Sequence, residues 1–266
     1  MVVRRLLVAL IASLMLAHCS VYQTETVTRI ALLAPFEGPY REIGYEALYA
    51  AQLALADYNV VELLAVDDGG RVETAQLRMA ALDQDDAVGV VIALGHHATR
   101  DSVQQMTQRP ILIAGHWHTM PAHEHVFLLA NQAIDEQITF ENDLDELNTR
   151  EHVRGSEMLA LTQVPTLLGA NAEQLTIFSS GQLADSDFRQ RYIESAEFAP
   201  QPYLIAPLVY DATQIAIQAI TQHTPINTLV YEGINGIIQF ENGYWHNAPI
   251  HRYQYINDQL THIATE

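Results

Sequence analysis

Residues 29 to 68 constrain this chain more than any other stretch. Arg29-Ile30-Ala31-Leu32-Leu33-Ala34 is an apolar run of strand length, and Pro35-Phe36-Glu37-Gly38-Pro39 is rich in turn residues. An Ala/Leu-rich amphipathic stretch follows, ending in Leu55-Ala56-Asp57-Tyr58-Asn59, and a second apolar run from Val60 to Val66 closes on Asp67-Asp68. Two strands on either side of one helix make a βαβ unit, because parallel strands need a crossover. Ile/Leu/Val runs bounded by turn residues suit strands buried on both faces, with helices above and below.

The pattern continues along the chain. Arg71 to Leu82 reads as a helix, Val88 to Leu94 as a third strand, and Thr99 to Gln108 as a third helix. Ile111 to Ala114, after Pro110, gives a fourth strand and Val126 to Ala130 a fifth. This alternation predicts an α/β fold with a doubly wound open sheet, whose ligand site lies beyond the carboxyl ends of its strands. Two loops therefore carry the candidate site. They are Gly95-His96-His97-Ala98-Thr99 and Gly115-His116-Trp117-His118-Thr119-Met120-Pro121.

Several segments occur in the order found in type I periplasmic solute-binding proteins of the leucine/isoleucine/valine-binding kind, which this chain resembles. Glu37-Gly38-Pro39-Tyr40, Ala50-Ala51-Gln52-Leu53-Ala54-Leu55-Ala56, Asn59 and Asp67-Asp68 stand where that family has its first cleft loop, long helix and second strand end. Val164-Pro165-Thr166-Leu167-Leu168-Gly169 is similar to the strand before the third cleft loop, and Tyr210-Asp211-Ala212 to a Tyr-Asp-Ala helix. Gly233-Ile234-Asn235-Gly236-Ile237-Ile238-Gln239-Phe240-Glu241-Asn242-Gly243 looks like the family's hairpin near the C-terminus.

The resemblance implies a two-lobed type I periplasmic-binding-protein fold and an extracytoplasmic receptor for an ABC-type importer, with an ABC permease as partner, no cofactor and no catalysis. The ligand would be a small polar molecule such as an amino acid, or a related carboxylate or amide. In the family, loop hydroxyls and backbone N–H groups hold the ligand's carboxylate, a task that helix N-termini support. By position Thr99 and Thr119 would supply hydroxyls and Trp117 backbone, with Tyr40, His97 and His118 bordering the cleft. The two threonines could equally cap their own helices. The family's acidic position in the second lobe falls near Asn171, which carries no charge.

Between Ala130 and Pro165 the family has a longer passage. Here Ile138 to Gln163 reads as one acidic, helical stretch with Phe140, Leu144, Leu147, Val153, Met158, Leu159 and Leu161 as apolar positions. The second lobe is thus expected to be reduced. The expected division is a first lobe of residues 27–127 plus 183–229 and a second of 130–182 plus 231–266, with hinge crossings near 128, 182 and 230.

Residues 1–19 read as an export signal: Arg4 and Arg5 precede an apolar stretch of about a dozen residues, shorter than the ~20 that span a bilayer. Residues 20–26 form a tether. Cys19 is the sole cysteine, which excludes an intrachain disulfide. Leu16-Ala17-His18-Cys19 resembles a lipoprotein box, with His18 where Gly, Ala or Ser is usual, and implies a lipid anchor on Cys19 in the cell envelope. An ordinary cleaved signal or an uncleaved anchor would suit the same residues.

The formal charge is −19, from 32 acidic residues against 13 basic ones, all of them arginine. Such a surface repels phosphate backbones and argues against nucleic acid as a partner. Six histidines, His96, His97, His116, His118, His123 and His125, crowd the two candidate loops. Imidazoles converging from two loops could hold zinc or copper, so His96, His97, His116 and His118 are an alternative metal site; solvated or stacked rings are the other reading. Two further functions stay open: a metal receptor using the loop histidines, and a degenerate binding fold, favoured by the missing second-lobe units, serving as an envelope interaction module. No Gly-x-Ser-x-Gly elbow, phosphate-binding Gly-rich loop or His-Glu-x-x-His pair is present to suggest an enzyme.

Overall fold

A computed structural model describes residues 27–139, 147 and 152–263. The signal, Cys19, the tether, Phe140 and Leu144 lie outside the described residues.

Five parallel strands form the centre of the larger sheet: β1 (Thr28–Ala34), β2 (Val61–Asp67), β3 (Val88–Ala93), β4 (Ile111–Ala114) and β5 (Val126–Leu129), in the order β2-β1-β3-β4-β5. Helices α1 (Arg41–Leu55), α2 (Val72–Gln84) and the short α3 (Asp101–Gln104) make the crossovers. Ile30 to Ala34 and all of β4 and β5 are buried, as continuous apolar runs under two helical layers should be. α1 turns Ile43, Ala47, Ala50, Ala51 and Ala54 inward at helical spacing. Its alanines let α6 (Ile205–Thr221) pack close against it.

The second sheet has four strands: β6 (Arg154–Gly155), β7 (Thr176–Ser179), β11 (His251–Ile256) and β12 (Gln259–Ile263), in the order β12-β11-β7-β6. Only β6 and β7 run parallel; β11 is antiparallel to both of its neighbours. This is the reduced lobe. α5 (Ser186–Glu194) returns to the first lobe, where the Tyr192 hydroxyl donates to Glu46 O at 3.1 Å.

Three expectations are corrected. Residues 230–245 belong to the first sheet, not the second lobe: β8 (Val230–Gly233), β9 (Gly236–Glu241) and β10 (Tyr244–Trp245) extend it beyond β5. Leu128 N–H donates to Gly243 O at 2.8 Å and the Phe127 and Phe240 rings meet at 5.2 Å, so this hairpin covers the β5 edge. The third crossing between lobes therefore falls at residues 246–250. There Asn131 Nδ2 donates to Ala248 O at 2.6 Å, Ser180 Oγ donates to Pro249 O at 2.7 Å, and Asn131 N–H donates to Ser180 Oγ at 2.8 Å, which ties all three crossings together.

Residues 163–168 form a helix, α4, rather than a strand. Glu42 accepts the N–H groups of Thr162 and Gln163 at its start, Pro165 is tolerated in its first turn, and Gly169 ends it at φ +52°. The stretch from 152 to 162 is likewise not helical: it holds β6 and a 3-10 turn at Glu157–Leu159, although Leu147, Val153, Met158, Leu159 and Leu161 are all buried.

Glu46, on the buried face of α1, accepts Tyr203 N–H at 2.7 Å and Ala206 N–H at 2.9 Å and so caps α6. Burial pushes its pKa from 4.5 up to about 8, against the pull of those two N–H groups. The folded chain thus keeps a proton that the unfolded chain releases near pH 4.5, and stability falls as pH rises through that window. Glu157 and Asp211, raised by burial, act in the same direction. His96 and His116, both lowered to about 4 chiefly by burial, act oppositely, but only below their ordinary 6.5. Between pH 6.5 and 8, stability should therefore fall by roughly 1 kcal/mol per pH unit. Urea unfolding midpoints at several pH values should show this fall, and Glu46→Gln should flatten it.

Candidate functional site

The loops after β3 and β4 begin with Gly95 (φ +85°) and Gly115 (φ +91°), left-handed residues that turn the chain off each strand end. The expected ligand groups beyond them are committed internally. Thr99 is fully buried and donates its hydroxyl to Gly95 O at 2.8 Å. Thr119 Oγ1 donates to Thr99 O at 2.7 Å, and the buried Trp117 indole donates to Ala114 O at 2.8 Å. The buried Gln104 staples the two loops, its Nε2 donating to Thr99 O, Thr119 Oγ1 and Met120 O, while its Oε1 accepts Ala122 N–H. Neither threonine side chain caps α3, whose N-cap position is Arg100.

A protein carboxylate stands at the loop after β4. Glu157, fully buried, accepts His116 N–H at 2.9 Å through one oxygen and the Ser179 hydroxyl at 2.6 Å through the other. Ser156 Oγ donates to His116 O at 2.6 Å. A Cβ on Gly115 would sit 3.1 Å from the Glu157 carboxyl carbon, a tight contact on a residue whose φ of +91° already favours glycine. A second bridge joins the lobes at Glu42, which accepts Thr162 N–H and the Thr162 hydroxyl, while Gln163 Nε2 donates to Pro39 O at 2.7 Å.

The remaining candidate residues divide between two clefts. The first, about 560 Å³, opens at the carboxyl ends of β1, β2 and β3 and is lined by Glu37, Tyr40, Asp67, Asp68, His96 and His97, with Met158 reaching it from the second lobe. The second, about 570 Å³, lies beyond β4 and β5 and takes in His116, His118, Thr119 and Asp135. Asn171 lies in neither. It is exposed in a 3-10 turn (Gly169–Gln174), because the stretch before it is α4 and the true strand, β7, comes later.

The histidines meet as rings. His96 and His97 make an edge contact at 5.5 Å, His116 and His118 one at 5.7 Å, and His123 stacks on His125 at 5.5 Å. Asp135 lies 3.8 Å from His116 Nε2 and 3.7 Å from His118 Nδ1. Among the described residues no group of three or more His, Cys, Asp or Glu side chains is arranged to hold a metal ion. Burial leads the effects that hold His96 and His116 near 4, so both rings are neutral at pH 7.

The acidic wall of the first cleft is set by the end of β2. Asp67 accepts Phe36 N–H at 2.7 Å and Gly69 N–H at 2.9 Å, which fixes the turn. Asp68 accepts Gly70 N–H at 2.8 Å through Oδ1, while its buried Oδ2 has no partner among the described residues. Burial raises the Asp68 pKa, opposed by the Gly70 bond and by His97. The sequence reading places Asp67-Asp68 at a strand end but assigns it no ligand role. Glu157, Glu42 and Gln104 carry no sequence signal, since each is a lone polar residue whose partners are distant in sequence.

Two α/β sheets joined by three crossings define the two-lobed fold of type I periplasmic solute-binding proteins. Solved structures agree. A leucine-binding protein of Thermotoga maritima superposes with a TM-score of 0.74 at 13% identity, over 90% of this chain and 98% of its own. A branched-chain amino-acid transporter substrate-binding protein of Streptococcus pneumoniae, in complex with isoleucine, gives 0.71 at 12% identity, over 88% and 97%. A solute-binding protein of R. palustris, in complex with benzoate, gives 0.61 at 9% identity, over 89% and 95%. These neighbours are described as solute-binding proteins rather than enzymes. No family profile matches the sequence, and no curated protein matches it.

Removing the Glu157 carboxylate leaves a buried N–H and a buried hydroxyl facing each other without a shared acceptor. Glu157→Ala should cost about 2–3 kcal/mol of stability, measured by urea unfolding. Hydrogen exchange should show the His116 amide losing protection.

Proposed function

We propose that this chain is an exported solute-binding receptor, lipid-anchored through Cys19, that presents a small polar ligand to an ABC-type permease. The ligand sits in the cleft at the carboxyl ends of β1–β3. The observation that carries the reading is this cleft, at the position where open α/β sheets take ligands, with Asp68 in its lining, whose buried Oδ2 lacks a partner among the described residues. Its volume of about 560 Å³ is of the size that small-molecule sites occupy. The fold supports receptor function by analogy with neighbours described as binding leucine, isoleucine or benzoate. Among the described residues no helix is long and apolar enough to cross a membrane.

A second reading, an envelope interaction module, is favoured by the bridges at Glu157 and Glu42, which join the lobes without any ligand. Thermal unfolding against amino acids, small carboxylates, amides and amines separates the two. A ligand bound only by the folded state must raise the melting temperature, by the equivalent of ~2.7 kcal/mol at a hundred times its Kd. The receptor reading expects such a rise; a flat response across the panel would favour the module.

A further inference from the structure

We propose that the cleft at the ends of β1–β3 selects a small organic cation, an ammonium bearing a nearby hydroxyl or carbonyl oxygen, with Asp68 as its counter-charge. This inference rests on the receptor reading and names its ligand class.

Charge comes first. Glu37, Asp67 and Asp68 line the cleft, and among the described residues no arginine or lysine does. Asp67 spends both oxygens on backbone N–H groups, and Glu37 stands at the exposed rim. Asp68 differs from both. It is 1% exposed, one oxygen takes Gly70 N–H, and the other is closed off from solvent with no partner among the described residues. A buried acceptor of this kind is costly unless a donor meets it. A donor that is itself a cation also offsets the burial that pushes the Asp68 carboxyl up.

A metal ion is a poor match. Calcium takes six to eight oxygen ligands, and among the described residues Asp68 alone has a carboxylate oxygen that is both buried and unpartnered. One free carboxylate in a cleft of about 560 Å³ fits a molecule with a single charged head.

His96 supplies the second group. Its Nε2 lies against Arg100 Nη2, and because a guanidinium only donates, that ring nitrogen is the acceptor. With the ring neutral, Nδ1 carries the proton, and this buried N–H has no acceptor among the described residues. The cleft therefore offers one unmet acceptor and one unmet donor. An amino alcohol satisfies both, with its ammonium toward Asp68 and its oxygen toward His96. A carboxylate ligand would face three acidic side chains with no arginine or lysine lining the cleft.

The test uses the full chain purified in detergent, with melting temperature and calorimetric titration as readouts. The probes are ethanolamine, choline and putrescine, with ethylene glycol and 1,4-butanediol as neutral matches and leucine, isoleucine and benzoate as carboxylates. A rise with ethanolamine and none with the glycols is expected, and choline, whose quaternary nitrogen has no N–H to give Asp68, should raise the melting temperature less. Asp68→Asn should weaken that binding by about tenfold to a hundredfold. Glu37→Gln, at the rim, should weaken it a few-fold without touching the buried network. The wild-type comparison of amine with glycol decides even where Asp68→Asn fails to fold. A rise with leucine or benzoate alone would overturn the cation proposal and leave the receptor reading standing. No rise with any probe would overturn both. Amine binding unchanged in Asp68→Asn would overturn the assignment of the site.

Discussion

A carboxylate shut away from water without a cation holds the two lobes in their present relation. Burying an ionised carboxylate is expensive unless its oxygens are hydrogen-bonded, and Glu157 meets that condition by bonding to both lobes at once. One oxygen fixes the amide after Gly115 at the end of β4. The other fixes Ser179 at the end of β7, whose hydroxyl also accepts Gly181 N–H, while Gly181 O accepts the Tyr253 hydroxyl from β11. The second sheet is thereby attached to the first through side chains whose alternatives are all buried and unpaired. Its small size matters less than this junction, because four short strands alone bury little.

The junction also bears on which cleft the proposed function uses. In a sheet of this topology the loops after β3 and β4 are natural places for an anion, since their amides face outward at strand ends. Here the chain fills that role itself, with Glu157 at the His116 amide and Gln104 and the two threonines closing on each other. What stays open is the neighbouring cleft toward β2, where the exposed chemistry is acidic rather than amide-lined. The carboxylates lining that cleft are of opposite electrostatic sign to the carboxylate-binding loops that the resemblance implies.

The first lobe was legible because its signals are local. β1, β3, β4 and β5 are apolar runs between turn residues, and their bounds in the structure lie within about a residue of those read from the pattern. The second lobe was not, for a physical reason. Val164 to Gly169 has the composition of a buried strand, but Glu42, over a hundred residues away in sequence, caps its start and makes a helix of it. The hairpin at 230–245 was recognised as an element and assigned to the wrong sheet, since pairing with β5 depends on a contact between Tyr244 and Leu128 that no local pattern encodes. Among site residues, Tyr40 and His97 line the first cleft, His118 and Thr119 line the second, and Asn171 is remote from both. Spacing identified the loops correctly, but which hydroxyls were free depended on Gln104 and Glu157, whose roles exist only in three dimensions.

Met158 acquires a special place from this arrangement. Among the residues lining the first cleft it alone comes from the second lobe, and in the chain it directly follows Glu157. Whatever is bound beside Asp68 and whatever holds the lobes together are separated by a single peptide unit. One route of coupling between ligand and lobe orientation would run through the rotamer of this flexible thioether side chain, whose unbranched shape adjusts to its surroundings, and another through Pro39, which lines the same cleft and whose carbonyl accepts Gln163 Nε2 from the second lobe. Stiffening or enlarging the Met158 side chain would change the free-energy coupling between the two events while leaving each set of bonds intact.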